Sequence, residues 1–144
     1  MSSLDRSAVK IRRITSSDVD GIMSLQWAEI PNKEMIYSQR GGRLDASFLA
    51  EVEGRVVGFV LARLVYVGRP MVGVGQLNLI AVRPDYQHKG IGRMLLDGLQ
   101  THCKGEGIQT MRALVQKDNE ELRAYFARAG FSPSAFVNYD KACD

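Results

Sequence analysis

Between Gln76 and Cys103 the chain changes hydrophobic period across a loop that contains two glycines, and this junction constrains the fold more than any other segment. Gln76 to Val82 reads as a strand, and Pro84 ends it because proline brings no N–H to a ladder. A polar loop, Arg83 to Lys89, then enters Gly90-Ile91-Gly92. Beyond it Ile91, Met94, Leu95 and Leu99 recur at i, i+3, i+4 and i+8, and His102 or Cys103 continues the stripe, as on an amphipathic helix. Glycines at 90 and 92 let the backbone come close to a ligand, while the unsatisfied N–H groups of the helix start point outward with the positive end of the dipole. That geometry binds phosphate or pyrophosphate. Nucleotide loops of other kinds do not fit: there is no G-x-x-x-x-G-K-[ST], and Gly73-Val74-Gly75 precedes a strand instead of following one.

The flanking segments supply a mixed α/β pattern. Val9 to Ile14 alternates at period two, Ser16-Ser17-Asp18 caps a helix carrying Val19, Ile22, Met23 and Gln26 to Ile30, and a second helix is expected at Lys33 to Arg40, ended by Gly41-Gly42. Ser47 to Val52 and Val56 to Val67 flank Glu53-Gly54 as an antiparallel hairpin, with Gly68 to Gly75 as the next turn. After the amphipathic helix, closed by Gly105 and Gly107, Thr110 to Val115 reads as a strand. Asp118-Asn119 then caps a helix with the stripe Leu122, Tyr125, Phe126, Ala129 and a terminal Gly130. Phe131 to Tyr139 is the expected last strand, giving the order βααβββαβαβ as one domain over residues 1–144.

Composition removes several classes. Of the 144 residues 45% are apolar and 24% charged, which suits a globular core, and no run approaches the roughly 18 consecutive apolar residues of a membrane helix. Met1 to Lys10 has no apolar stretch of the signal-peptide kind, so a cytoplasmic protein is expected, with no membrane partner. Two cysteines, Cys103 and Cys143, and two histidines, His88 and His102, build neither a disulfide framework nor a metal-ligand cluster, and no metal is expected. The net charge of +3 is spread along the chain, so no nucleic-acid partner is expected.

Gln87-x-x-Gly90-x-Gly92, following the strand end Ala81-Val82-x-Pro84, resembles motif A of the GNAT superfamily of N-acetyltransferases. Asn119, Phe126 and Gly130-Phe131 resemble that family's N-x6-[YF]-x3-G-F helix, and the order of elements from Val9 to Tyr139 is similar to the whole fold. The resemblance implies a mixed, mostly antiparallel central sheet of six to seven strands flanked by about four helices. It also implies acetyl-coenzyme A as donor substrate. The backbone of His88, Lys89, Gly90, Ile91, Gly92 and Arg93, after Gln87, would hold the pyrophosphate, and Leu79, Ile80, Ala81 and Val82 would lie along the pantetheine arm like an added strand. Asn119 would bond the pantetheine or its surroundings, with Phe126 beside it.

The chemistry makes its own demands. An amine with a pKa near 10 must lose a proton before it attacks a thioester, and a donor must meet the tetrahedral oxyanion. A backbone N–H near Leu79 or Ile80, freed by a strand bulge, suits the second demand. Many family members carry a glutamate eleven residues before the loop glutamine; this chain has Gln76, which is no carboxylate base. The ribosomal-protein N-terminal acetyltransferases resemble this chain in the loop, yet their glutamate corresponds to Leu114 and their general-acid tyrosine to Phe126. Tyr125, one position away, takes the donor role only if the helix is rotated and otherwise packs in the core, so Tyr125 and Gln76 are the catalytic candidates.

Two function classes follow: an N-acetyltransferase acting on a primary amine of a small molecule, peptide or protein, and a non-catalytic acyl-coenzyme A-binding or sensing module. Glu29, Glu34 and Glu53 are the carboxylates placed toward an acceptor, and Trp27, Met35 and Tyr37 the side chains placed to shape its groove. A homodimer would use the edges near Val67 and Phe136.

Overall fold

Glu53 and Gly54 close the hairpin on which the sheet is built. Both take positive φ, 53° and 76°, so the two-residue turn matches the twist of the strands it joins, β2 (Phe48–Val52) and β3 (Arg55–Val67). The computed structural model describes residues 5–28, 30 and 46–144. Within them β1 (Val9–Arg13) pairs antiparallel with β2, β4 (Val72–Val82) antiparallel with β3, and β5 (Thr110–Ala113) parallel with β4, in spatial order β1-β2-β3-β4-β5. The single parallel pair follows from the helical crossover that precedes β5.

Strand alternation builds a core on each side of the sheet. Beneath α2 (Ile91–Gly105) and α3 (Glu120–Arg128) lie Val60, Ala62, Leu77, Leu95, Leu99 and Phe126. Against α1 (Val19–Met23) lie Leu49, Phe59 and Leu61 with Ile14, Val19 and Ile22. Arg12 joins β1 to the start of α1 through a two-pronged ion pair with Asp18, at 2.9 Å on each prong, and reaches Glu51 at 2.7 Å.

Several boundaries differ from expectation, each for a steric reason. β4 begins at Val72 instead of Gln76, and the turn shrinks to the residues after Val67. Gly73 and Gly75 belong to the strand because their side-chain space is filled: an added Cβ at 75 would meet the Cys103 sulfur at 2.5 Å, and one at 73 the Ile108 side chain at 2.7 Å. α1 is a single short helix of five residues. Phe131 to Tyr139 forms no strand; Pro133 has no donor to offer a ladder, and Phe136 instead stacks its ring on Arg112 and packs against Gly68. The described residues therefore hold five strands and three α-helices, fewer than the six to seven strands and about four helices implied by the resemblance. The helix expected at Lys33 to Arg40, with Gly41-Gly42, lies outside the described residues. No described helix is long and apolar enough to cross a membrane.

Candidate active site

Asn78 is an extra residue on β4. Leu61 pairs with Leu79 but Ala62 pairs with Leu77, so the strand bulges between them. A one-residue bulge exchanges the faces of everything beyond it. Leu77 packs beneath α2, and after the bulge Ile80 and Val82 do so while Leu79 and Ala81 turn to the α1 side. Parallel pairing with β5 stops at the same point, the last partners being Leu77 and Ala113. The edge of Leu79–Val82 that faces away from β3 therefore has no strand partner among the described residues, and its amides and carbonyls are open to an extended ligand.

This open edge runs into a built loop. The Arg83 N–H donates to the Val57 carbonyl at 2.8 Å, Pro84–Tyr86 make a single 3-10 turn, and the Gln87 side-chain amide donates back to the Val82 carbonyl at 2.9 Å. His88 and Gly90 take positive φ, 62° and 89°, which swing the chain into α2. Gly90 is the helix N-cap, with no capping side chain and no acidic residue in the first turn. The N–H groups of Ile91, Gly92 and Arg93 thus have no acceptor inside the helix and point along its axis. Lys89 and Arg93 add positive charge to the dipole end, and the Arg6 guanidinium lies against Gly90, where an added Cβ would meet it at 2.8 Å. Nothing in the sequence pattern points to Arg6, because only folding brings it to the loop.

α3 completes the cradle, and its motif residues prove to be the two ends of one helix. Asn119 is the N-cap, its side-chain oxygen accepting the Leu122 N–H at 3.1 Å. Gly130, at φ 95°, and Phe131 end the helix: Phe131 N–H donates to the Phe126 carbonyl at 2.9 Å and Gly130 N–H to Ala127 at 3.1 Å. The rings of Phe126 and Phe131 meet edge to face at 5.0 Å, the apolar contact that accompanies such a terminus. Phe126 is buried in the core, whereas Tyr125 is half-buried and sets its hydroxyl against Gly92 at the start of α2.

The family model described as acetyltransferase (GNAT) family matches residues 17–131, which include the bulged strand, the loop and both helices of the cradle. The chain belongs to the GNAT acetyltransferase family. It is similar to a mycothiol acetyltransferase of Streptomyces coelicolor, 32% identical over 84 residues, which cover 58% of this chain and 26% of that protein. The match spans about a quarter of that relative's length. Among solved structures, AAC(6')-Iy in complex with the bisubstrate analogue CoA-S-monomethyl-acetylneamine superposes with a TM-score of 0.76 at 22% identity, covering 94% of this chain and 99% of that one. A ribosomal-protein-alanine N-acetyltransferase from Brucella melitensis biovar Abortus 2308 gives 0.73 at 22% identity over 94% and 99%. At these identities the structures establish the shared fold.

Where this GNAT chain departs from the common pattern, the geometry is equally plain. Gln76 is half-buried on β4, in register with Arg63 on β3 and Arg112 on β5. Leu114 is exposed just past the end of β5, and Phe126 has no hydroxyl to offer. Burial pushes the Tyr125 hydroxyl pKa up, against the opposing pull of Arg93 and Arg128, which keeps it a protonated O–H at neutral pH. Trp27 packs on Phe59 at 5.9 Å between ring centres, and Glu53 sits in the β2–β3 turn, away from the row that holds Gln76. Glu29, Glu34, Met35 and Tyr37 lie outside the described residues. His102 lies edge-on to Phe48, and its buried Nε2 has no partner among the described residues.

A hollow of about 1450 Å3 opens elsewhere than the cradle. It follows the outer edge of β5 and the flanks of α2 and α3, and it touches the loop region only at Arg93. An unpaired sheet edge leaves such a volume by itself, whereas the strand edge and helix start form a shallow groove whose hydrogen-bonding groups, not volume, mark it. Among the described residues no group of three or more metal-ligating side chains comes together.

Proposed function

We propose that this chain transfers an acetyl group from acetyl-coenzyme A to a primary amine, as a cytoplasmic enzyme. One observation carries the reading: a β4 edge beyond the Asn78 bulge, unpaired among the described residues, leads directly to a helix start at Gly90 that has no capping side chain. Pantetheine is an extended chain with two amides and pairs with Leu79–Val82 as an added strand would, while the amides of His88–Arg93 meet the pyrophosphate. The thioester then lies at the bulge, where a freed N–H near Leu79 or Ile80 stabilises the oxyanion.

In the reaction the amine nitrogen forms a bond to the thioester carbon, and the C–S bond breaks as the tetrahedral intermediate collapses. The proton leaving nitrogen passes to water, since Gln76 is no base, and the departing thiolate takes a proton in turn. Asn119, its oxygen committed to the helix cap, retains an amide NH2 to donate. Calorimetric titration of acetyl-coenzyme A and a thiol-release assay over a panel of amines test the reading together with Gly90→Asp. That variant places a carboxylate and a strained residue in the cradle, so coenzyme affinity is expected to vanish while circular dichroism stays native. Unchanged affinity removes the loop from the site.

The second reading, a non-catalytic acyl-coenzyme A-binding module, is favoured by Gln76 in place of a carboxylate and Phe126 in place of a tyrosine. Tight coenzyme binding without thiol release for any amine selects it.

A further inference from the structure

Three polar side chains stand in one row across the sheet beside the bulge. Arg63 on β3 is the register partner of Gln76 on β4, and Gln76 that of Arg112 on β5. Register partners project from the same face of a sheet. Their neighbours in sequence decide which face it is. Ala62 and Leu64, Leu77, and Met111 and Ala113 all pack beneath α2 and α3. The row therefore projects from the opposite face, the one on which Phe59, Leu61 and, past the bulge, Leu79 pack toward α1.

Among the described residues the row is cationic and unneutralised. Arg63 is exposed, and neither it nor Arg112 has a carboxylate partner among the described residues. Arg112 is held by stacking on the Phe136 ring, 5.0 Å from guanidinium carbon to ring centre, a contact that uses the face of the guanidinium and not its N–H fork. Strands lie about 4.8 Å apart, so Arg63 and Arg112 leave the sheet on either side of Gln76 from backbones roughly 10 Å apart. Such a field repels polycations and attracts carboxylate or phosphate, which guanidinium grips by a two-pronged hydrogen bond. It also disfavours an ammonium ion, so an amine brought here gives up its proton more readily, a partial substitute for the base that Gln76 is not.

Resting on the transferase reading above, we propose that the acceptor amine carries an anionic group, held by Arg63 and Arg112 with Gln76 between them. The thioester at the bulge and the anion at this row then fix the amine from two sides.

Titration of acetyl-coenzyme A into the full chain comes first, and absence of binding there removes the transferase reading itself. With binding secured, thiol release is measured for matched pairs, O-phosphoethanolamine against ethanolamine and β-alanine against its amide, with spermidine as polycation. The anionic member of at least one pair is expected to lead by about tenfold or more in kcat/KM, a gap of about 1.4 kcal/mol. The pair with the larger gap tells phosphate from carboxylate. Arg63→Gln and Arg112→Gln should each shrink that gap, mainly through KM, while Lys10→Gln, on the far strand, leaves it intact. Equal use of both members, or preference for spermidine, overturns the proposal. If no amine turns over, the same compounds are titrated into the coenzyme A complex, and failure of the anionic ones to bind more tightly overturns it equally.

Discussion

The hydroxyl of Tyr125 rests on the Cα of Gly92, so close that a Cβ at residue 92 would overlap the oxygen, while the ring carbon behind it would lie at 3.4 Å, an ordinary contact. The conflict is thus with one atom, and it is separable by mutation. Gly92→Ala should displace Tyr125 or the start of α2 and weaken coenzyme A binding by about tenfold or more, since a shift of the amides by even part of an ångström spoils the phosphate contacts. Gly92→Ala combined with Tyr125→Phe should recover most of that loss in a calorimetric titration. A double variant no better than the single one would mean that residue 92 matters for some other reason.

Tyr125→Phe alone is expected to be mild, with turnover lowered less than about tenfold, because the ring keeps its edge-to-face contact with Phe126 and only the hydroxyl goes. The hydroxyl remains protonated at neutral pH, as a proton donor to a thiolate must be. A loss of about a hundredfold in kcat would therefore assign that role to Tyr125.

Gly130 is in the left-handed region at φ 95°, where an L side chain costs about 1–2 kcal/mol. Gly130→Ala should therefore lower the midpoint of thermal unfolding by a few degrees, roughly 2–4 °C per kcal/mol for a chain of this size. Gly105, with nothing within 4 Å of an added Cβ and an ordinary helical backbone, is the control. Gly105→Ala should be neutral or stabilising, and a matching loss at both positions would show that helix-end geometry is not what Gly130 supplies.

How much of this was legible without coordinates depended on the range of the interaction. Glu53-Gly54 and Asn119 through Phe131 are local: their turn and cap bonds join residues a few positions apart, and the residue types announce them. Gly73 and Gly75 misled in the other direction. Their glycines read as a turn, yet they exist to admit Ile108 and Cys103 from a helix and its terminus far along the chain. Phe131 to Tyr139 has the composition of a strand, but a strand needs a partner, and Phe136 satisfies itself on Arg112 and Gly68. The loop and helix start of the candidate site were readable for the same reason as the caps. The Arg63–Gln76–Arg112 row was not, because it appears only once the register of three strands is known.

The ion pair that ties β1 to α1 gives the fold an acid-sensitive joint. Arg12 bonds both oxygens of Asp18 and holds its carboxyl at a pKa of about 2, well below the usual carboxylate range, with Thr15 N–H adding a further bond at 2.8 Å. A folded-state pKa below the unfolded one means the contribution is complete above the unfolded value, near 4, and is lost as pH falls through about 2. The Arg12 side chain is 33% exposed and that of Asp18 15%, so solvent screening reduces the net contribution to about 1 kcal/mol. Asp18→Asn keeps the shape and an acceptor for Thr15 while removing the charge. Its stability deficit in denaturant titrations should be constant at neutral pH and begin to shrink below about pH 4 as wild-type Asp18 takes up its proton. A deficit that persists unchanged down to pH 2 would locate the effect in the neutral cap, leaving the charge pair with no share in it.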